Sequence, residues 1–205
     1  MNKQQRARQI IMYAVYIMSF CCIQVTFSRF FSLFGHTADL MLVFVVLTGY
    51  LFGTVDGMVV GAIVGVFRDY FSGPVISGLD RQPVAPLGIG LLVFFYIGML
   101  SSLLFKRRFK RKYILGVLQV VILSLAYYSL GHLVSWLYLS ISGNLTSYHS
   151  FRYIALKSVL PQIFVNVLAS IPILLILRFI GPYAKGVRSG LVDGYTLEEH
   201  TWQSV

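Results

Sequence analysis

Six long apolar stretches alternate with short polar segments along the chain. They lie near residues 10–28, 39–53, 55–71, 84–105, 113–138 and 154–178. Because a helix needs about 20 apolar residues to cross a roughly 30 Å hydrocarbon layer, this pattern predicts an all-α protein of about six transmembrane helices. The second and third stretches are short, and only the segment from Gly53 to Gly57 separates them. We expect a tight helical hairpin at Gly53, with one continuous helix as the alternative.

A regular pattern of small residues marks this part of the chain, where a small or polar residue recurs at every fourth position. The residues are Gly49, Gly53, Gly57, Gly61, Gly65, Asp69 and Gly73. Residues four apart lie on nearly the same face of a helix, so the glycines form a smooth groove that admits another helix backbone. In a bilayer such faces promote close van der Waals contact between helices. The stripe is therefore predicted to be a helix-packing or partner interface.

The composition agrees with a membrane protein. Of the 205 residues, 57% are hydrophobic and 12% are charged, and the mean hydropathy is +0.77. These values exclude an ordinary soluble domain, because too little polar surface is available to cover it. The net charge of +10 does not indicate nucleic-acid binding, since the basic residues lie between apolar stretches and form no basic face with exposed aromatic residues.

The distribution of lysine and arginine predicts the orientation. Twelve of the 17 basic residues lie before the first stretch, after the fourth, or at and after the end of the sixth. Because basic residues favour the cytoplasmic side, both termini are predicted to be cytoplasmic. The main topology anchor is the basic cluster Lys106, Arg107, Arg108, Lys110, Arg111 and Lys112. Binding of lipid headgroups or of a partner is the alternative role for this cluster. Residues 1–182 are predicted to form the transmembrane domain, and residues 183–205 a cytoplasmic tail.

Few side chains within the stretches could support chemistry. Ser129, His132 and Ser135 share one helix face, but neither a group that orients the histidine nor an oxyanion donor is evident beside them. We interpret the set as a hydrogen-bonding contact between helices. No enzyme activity, metal site or cofactor is predicted.

The charged residues near the stretches fall at their predicted ends, where water and headgroups lower the cost of charge. They include Asp39, Asp56, Arg68 and Asp69. Neighbouring positions point about 100° apart on a helix, so Asp69 follows the glycine stripe while Arg68 points elsewhere. Asp69 is expected to accept hydrogen bonds from the backbone of Ser72 and Gly73, with partner recognition as the alternative.

Several segments between residues 38 and 105 resemble the MreD family of rod shape-determining membrane proteins. The segments are Ala38-Asp39-Leu40, Gly49-Tyr50-Leu51-Phe52-Gly53, the run from Gly57 to Gly65, Arg68-Asp69-Tyr70-Phe71-Ser72-Gly73, and the Leu87 to Leu104 stretch with Gly88 and Gly90. Thr54 departs from the family, whose members often carry proline there.

This resemblance implies a non-enzymatic component of the cell-wall elongation machinery, with several passes through the bacterial cytoplasmic membrane. The implied partners are membrane lipid, an MreC-like bitopic protein, a RodA-type glycosyltransferase, a class B penicillin-binding transpeptidase and, indirectly, MreB filaments. The family also resembles, in its bundle, the S components of energy-coupling-factor vitamin transporters, which gives the alternative function. Those proteins couple to their transport machinery through an alanine-xxx-alanine face on their first helix. In this chain the residue four positions after Ala14 is Met18, so the second alanine of that pattern is missing.

Overall fold

A computed structural model of the chain describes residues 3–26, 32–33, 35–71, 88–104, 113–141, 153 and 155–182. This part is mostly helical, as predicted. Its α-helices are α1 (Lys3–Thr26), α2 (Leu40–Phe52), α3 (Thr54–Phe71), α4 (Ile89–Leu103), α5 (Tyr113–Ile141) and α6 (Leu160–Phe179). A π-helical turn, Ala155–Val159, precedes α6. The sequence did not predict the short antiparallel pairing of β1 (Ser32–Leu33) with β2 (His36–Thr37).

The predicted hairpin lies between α2 and α3. Gly53 separates the two helices and has a φ angle of +102°, which favours glycine over residues that carry a side chain. A Cβ atom built on Gly57 would lie 2.7 Å from the Cα atom of Gly49. Residues eight positions apart in a continuous helix would be about 12 Å apart, so the chain reverses direction at Gly53.

Contacts between the ends of the helices define two ends of the bundle. At the basal end, where α1 begins and α6 ends, the Tyr16 hydroxyl donates to the Ile180 carbonyl oxygen at 2.6 Å. At the opposite, apical end, the Leu40 amide donates to Oε1 of Gln24 at 2.8 Å. Asp69 near the end of α3 accepts from Gly90 at the start of α4, and the Gln119 amide group in the early part of α5 donates to the Ser101 carbonyl oxygen near the end of α4. The Gln162 amide group near the start of α6 donates to the Thr37 carbonyl oxygen at the apical end. Each described α-helix therefore runs in the opposite direction to the one before it.

Helix α2 is the centre of the bundle. All 13 of its residues are buried, and it packs against every other described α-helix. Its sequence explains this position, because the residues are almost all apolar and leave no polar face for water. A helix of this length rises only about 20 Å, so α2 is shorter than a hydrocarbon layer.

The helices differ in their capacity to cross a membrane. Three segments are long and apolar enough: Ala7–Thr26, Tyr113–Val134 and Ala155–Phe179. The apolar segments Leu40–Phe52 and Gly90–Leu103 are shorter, and α3 carries three charged residues. The described part of the chain thus has the character of a membrane protein, while α2 and the described part of α4 are shorter than the about 20 residues that a crossing needs.

Candidate functional site

The glycine stripe lies at the interface between α3 and α4. A Cβ atom on Gly61 would lie 2.9 Å from the carbonyl carbon of Phe94, and one on Gly65 would lie 2.6 Å from the Cα atom of Leu91. Gly98 contributes from the other side, since a Cβ there would lie 2.5 Å from the carbonyl carbon of Gly57. Only glycine allows two helix backbones to approach this closely. Helix α4 of the same chain therefore fills the groove.

The remaining residues of the stripe have different positions. Gly49 is buried in α2, where a Cβ would lie 2.5 Å from the Gly98 carbonyl oxygen, and Gly53 forms the hairpin. Gly73 and the basic cluster Lys106 to Lys112 lie outside the described residues.

Asp69 caps the start of α4. Its carboxylate accepts hydrogen bonds from the backbone amides of Gly88, Gly90 and Leu91 at 3.0, 2.9 and 3.1 Å. These amides belong to the first turn of a helix, where they have no partner within the helix and where a negative charge is favourable. The sequence predicted acceptance from the loop at Ser72 and Gly73, which lies outside the described residues. The cap on α4 was missed because it joins residues about 20 positions apart.

Arg68 and Asp39 form an ion pair at the apical end. Nη1 of Arg68 lies 2.6 Å from Oδ2 of Asp39, and the two side chains are 27% and 5% exposed. Asp39 also caps α2, because its Oδ1 accepts from the Leu42 amide at 3.1 Å. The pair thus joins both arms of the hairpin through two charges that are largely removed from water.

Aromatic and amide side chains surround this ion pair. The Arg68 guanidinium lies 5.5 Å from the ring centroid of Phe94 and 5.7 Å from that of Tyr127. Asn166 of α6 accepts from the Asp39 amide at 2.8 Å through Oδ1 and donates to Oγ of Ser124 at 3.2 Å through Nδ2. Five helices therefore converge on the two charges, which compensates for their removal from water.

A cavity of about 430 Å³ opens beside the ion pair. We call it the apical cavity. Its polar lining in the described part of the chain comprises Gln24, Thr37, Asp39, Arg68, Tyr128 and Gln162, and its apolar lining comprises Val25, Met41 and Phe71. This volume is within the range of about 300 to 1,000 Å³ that is common for small-ligand sites. The apical cavity could thus hold a small molecule or part of a lipid.

A second concave surface lies between α5 and α6 near the basal end. It encloses about 470 Å³ and is lined almost entirely by apolar side chains. These are Tyr113, Ile114, Val117, Leu118, Val121, Ile171, Leu174 and Leu175. We call this surface the α5–α6 groove.

The other candidate residues show no assembled reactive site. His132 lies on α5, where it is partly exposed, and the side chain of Ser135 is outside the described part. Within the described ranges, no three His, Cys, Asp or Glu side chains are grouped as metal ligands would be. The absence of enzyme activity stays a prediction.

Comparisons of the chain with models of protein families, with curated proteins and with solved structures found no match. The likeness to the MreD family therefore rests on residues 38–105 and stays a prediction. The coarser conclusion is that the described part of the chain is mostly helical and has three helices able to cross a membrane.

Proposed function

We propose that this chain is a non-enzymatic component of the bacterial cell-wall elongation machinery that binds an MreC-like bitopic partner. The observation that carries the proposal is that the residues which resemble the MreD family hold three helices of the bundle together. Asp39 pairs with Arg68, the Gly57 to Gly65 run packs on α4, and Asp69 caps α4. These residues build one rigid unit of α2, α3 and α4, which suits a scaffold better than an enzyme with exposed reactive groups.

The partner contact must use surfaces that the bundle leaves open. The glycine groove is already filled by α4. The α5–α6 groove is apolar, concave and lies within two helices able to cross a membrane, so it suits a single transmembrane helix of a bitopic protein. In this proposal the partner then connects the bundle to a RodA-type glycosyltransferase, a class B penicillin-binding transpeptidase and, indirectly, MreB filaments.

The proposal includes six membrane crossings and cytoplasmic termini. The alternating directions of the described helices and the placement of twelve of 17 basic residues support it. The short helix α2 then crosses within the protein, because its side chains contact other helices and not lipid.

Cysteine labelling tests this topology. In a chain with Cys21→Ala and Cys22→Ala, we expect Lys110→Cys to react with an impermeant maleimide only in inverted vesicles. Ser77→Cys should react only in intact cells, since the proposed six crossings put residue 77 on the opposite side of the membrane from residue 110. Each variant serves as the control for the other. Labelling of both positions from one side would contradict the six-crossing arrangement.

The alternative function is an S component of an energy-coupling-factor vitamin transporter, and the apical cavity favours it. Polar side chains from the described part of the chain converge there. The first helix remains unfavourable for this function, because Ala14 and Met18 both lie on its exposed surface and lack the alanine-xxx-alanine pattern.

Depletion of the protein in its rod-shaped host tests the proposed function. We expect cells to widen and become round, while the glycosyltransferase and transpeptidase remain active after purification. An MreC-like protein should co-purify with the chain in mild detergent from undepleted cells. Rods that persist after complete loss of the protein would overturn the proposal, and loss of vitamin uptake by such rods would support the transporter instead.

A further inference from the structure

We propose that the apical cavity binds a zwitterionic ligand, with an oxyanion group next to Arg68 and an ammonium group next to Asp39. The ion pair has unused hydrogen-bonding capacity. A guanidinium has five N–H donors, and among the described residues Arg68 uses one of them, toward Asp39. The remaining donors suit the oxygens of a carboxylate or a phosphate.

Asp39, the other member of the pair, also has unused hydrogen-bond acceptor positions. Its two oxygens accept one hydrogen bond each, from Arg68 and from the Leu42 amide. A carboxylate has about four acceptor positions, so two remain for an ammonium group. The cavity therefore presents donors and acceptors next to each other, and each set adjoins a charge of the matching sign.

Two of the other polar side chains add donors. Oε1 of Gln24 is held by the Leu40 amide, which leaves its NH₂ group for the cavity. Tyr128 also lines the cavity, and its hydroxyl oxygen accepts from Nδ2 of Asn166 at 3.5 Å, which leaves the hydroxyl hydrogen as a donor. Both groups can reinforce the contact of Arg68 with an oxyanion, as hydrogen bonds to a charged acceptor are stronger than those between neutral groups.

The charge balance decides between an anion and a zwitterion. Arg68 and Asp39 neutralise each other, so a bound anion would leave one uncompensated negative charge in a largely apolar bundle. A zwitterion aligned against the pair adds one charge of each sign and leaves the total at zero. Such a group exists in the headgroup of phosphatidylethanolamine and in free small molecules such as phosphoethanolamine or glycine.

The test measures ligand binding to the purified full chain in detergent. The probes are short-chain dihexanoyl phosphatidylethanolamine, its phosphatidylglycerol analogue, phosphoethanolamine and glycine. We expect saturable thermal stabilisation by at least one zwitterion and none by phosphatidylglycerol. Stabilisation by the short-chain lipid alone identifies a lipid headgroup as the source, and stabilisation by a soluble zwitterion identifies a free molecule.

Two isosteric variants separate binding from folding. Tyr128→Phe removes the hydroxyl of a residue that lines the cavity. We therefore expect weaker binding of the active zwitterion, with a dissociation constant about tenfold larger. The matched control is Tyr127→Phe, because Tyr127 contacts Arg68 without lining the cavity, and we expect no change. The inference is overturned if no zwitterion binds, if phosphatidylglycerol binds equally well, or if the two variants behave alike. It goes beyond the proposed function and does not depend on it.

Discussion

Replacement of Gly61 by leucine is expected to prevent the normal packing of α4 on α3 and to remove most of the folded protein from the membrane. Even the first added carbon would lie 2.9 Å from the carbonyl carbon of Phe94, which belongs to a helix backbone and cannot rotate away. Overpacking of a close contact costs about 1 to 3 kcal/mol, and the larger leucine side chain is expected at the upper end or beyond. The measurements are the thermal unfolding temperature in detergent and the amount of protein in membranes.

Gly131→Leu is the matched control for this variant. Gly131 also lies in a helix, but a Cβ atom there would meet nothing within 4 Å. The same chemical change should therefore leave unfolding nearly unchanged. Gly61→Ala should show an intermediate loss, because it adds only the Cβ atom. If Gly61→Leu and Gly131→Leu unfolded at the same temperature, α4 would not be packed on α3 through the glycines.

Removal of the Arg68 charge should produce the second large effect. In Arg68→Gln, the carboxylate of Asp39 stays 5% exposed but loses its cationic partner. Loss of one member of a buried pair typically costs about 3 to 5 kcal/mol, because the remaining charge is uncompensated. We expect a loss toward the lower value, since the Arg68 side chain is itself 27% exposed. Chemical unfolding in detergent would measure it.

A second substitution at Asp39 distinguishes the lost pairing from a general effect of the new side chain. Adding Asp39→Asn to Arg68→Gln removes the isolated charge while its amide oxygen can still accept from the Leu42 amide. The double variant should therefore be more stable than Arg68→Gln alone. Arg8→Gln controls for removal of an exposed arginine and should have little effect. Strictly additive losses at Asp39 and Arg68 would show that the two side chains are not coupled.

Local patterns in the sequence predicted much of the architecture. Long apolar stretches predicted the helices. The hairpin was predicted at Gly53 because the short segment that begins there is the only interruption between the second and third stretches. The spacing of Gly57, Gly61 and Gly65 predicted a smooth helix face. The pattern could not identify which helix fills that face, because close packing places the same requirement on a partner and on α4.

The apical ion pair and cavity were missed because they depend on contacts between distant segments. The sequence placed Asp39 and Arg68 at separate span ends, where each could be solvated independently. A usable signal was present, since the two residues lie at nearly equal distances along the chain from Gly53. A hairpin at that glycine brings such positions together. The contribution of Asn166 required the docking of α6, which no local pattern specifies.

The complete burial of α2 has a consequence for biosynthesis. This helix leaves the ribosome second, but the side chain that accepts a hydrogen bond from the Asp39 amide is Asn166 of α6, at 2.8 Å. Until α6 has been synthesised, that amide lacks its partner and the surroundings of Asp39 are incomplete. The early part of the chain therefore reaches its final structure only after α6 has been made. A chain that stops before α6 would leave the Asp39 amide without the acceptor that Asn166 provides.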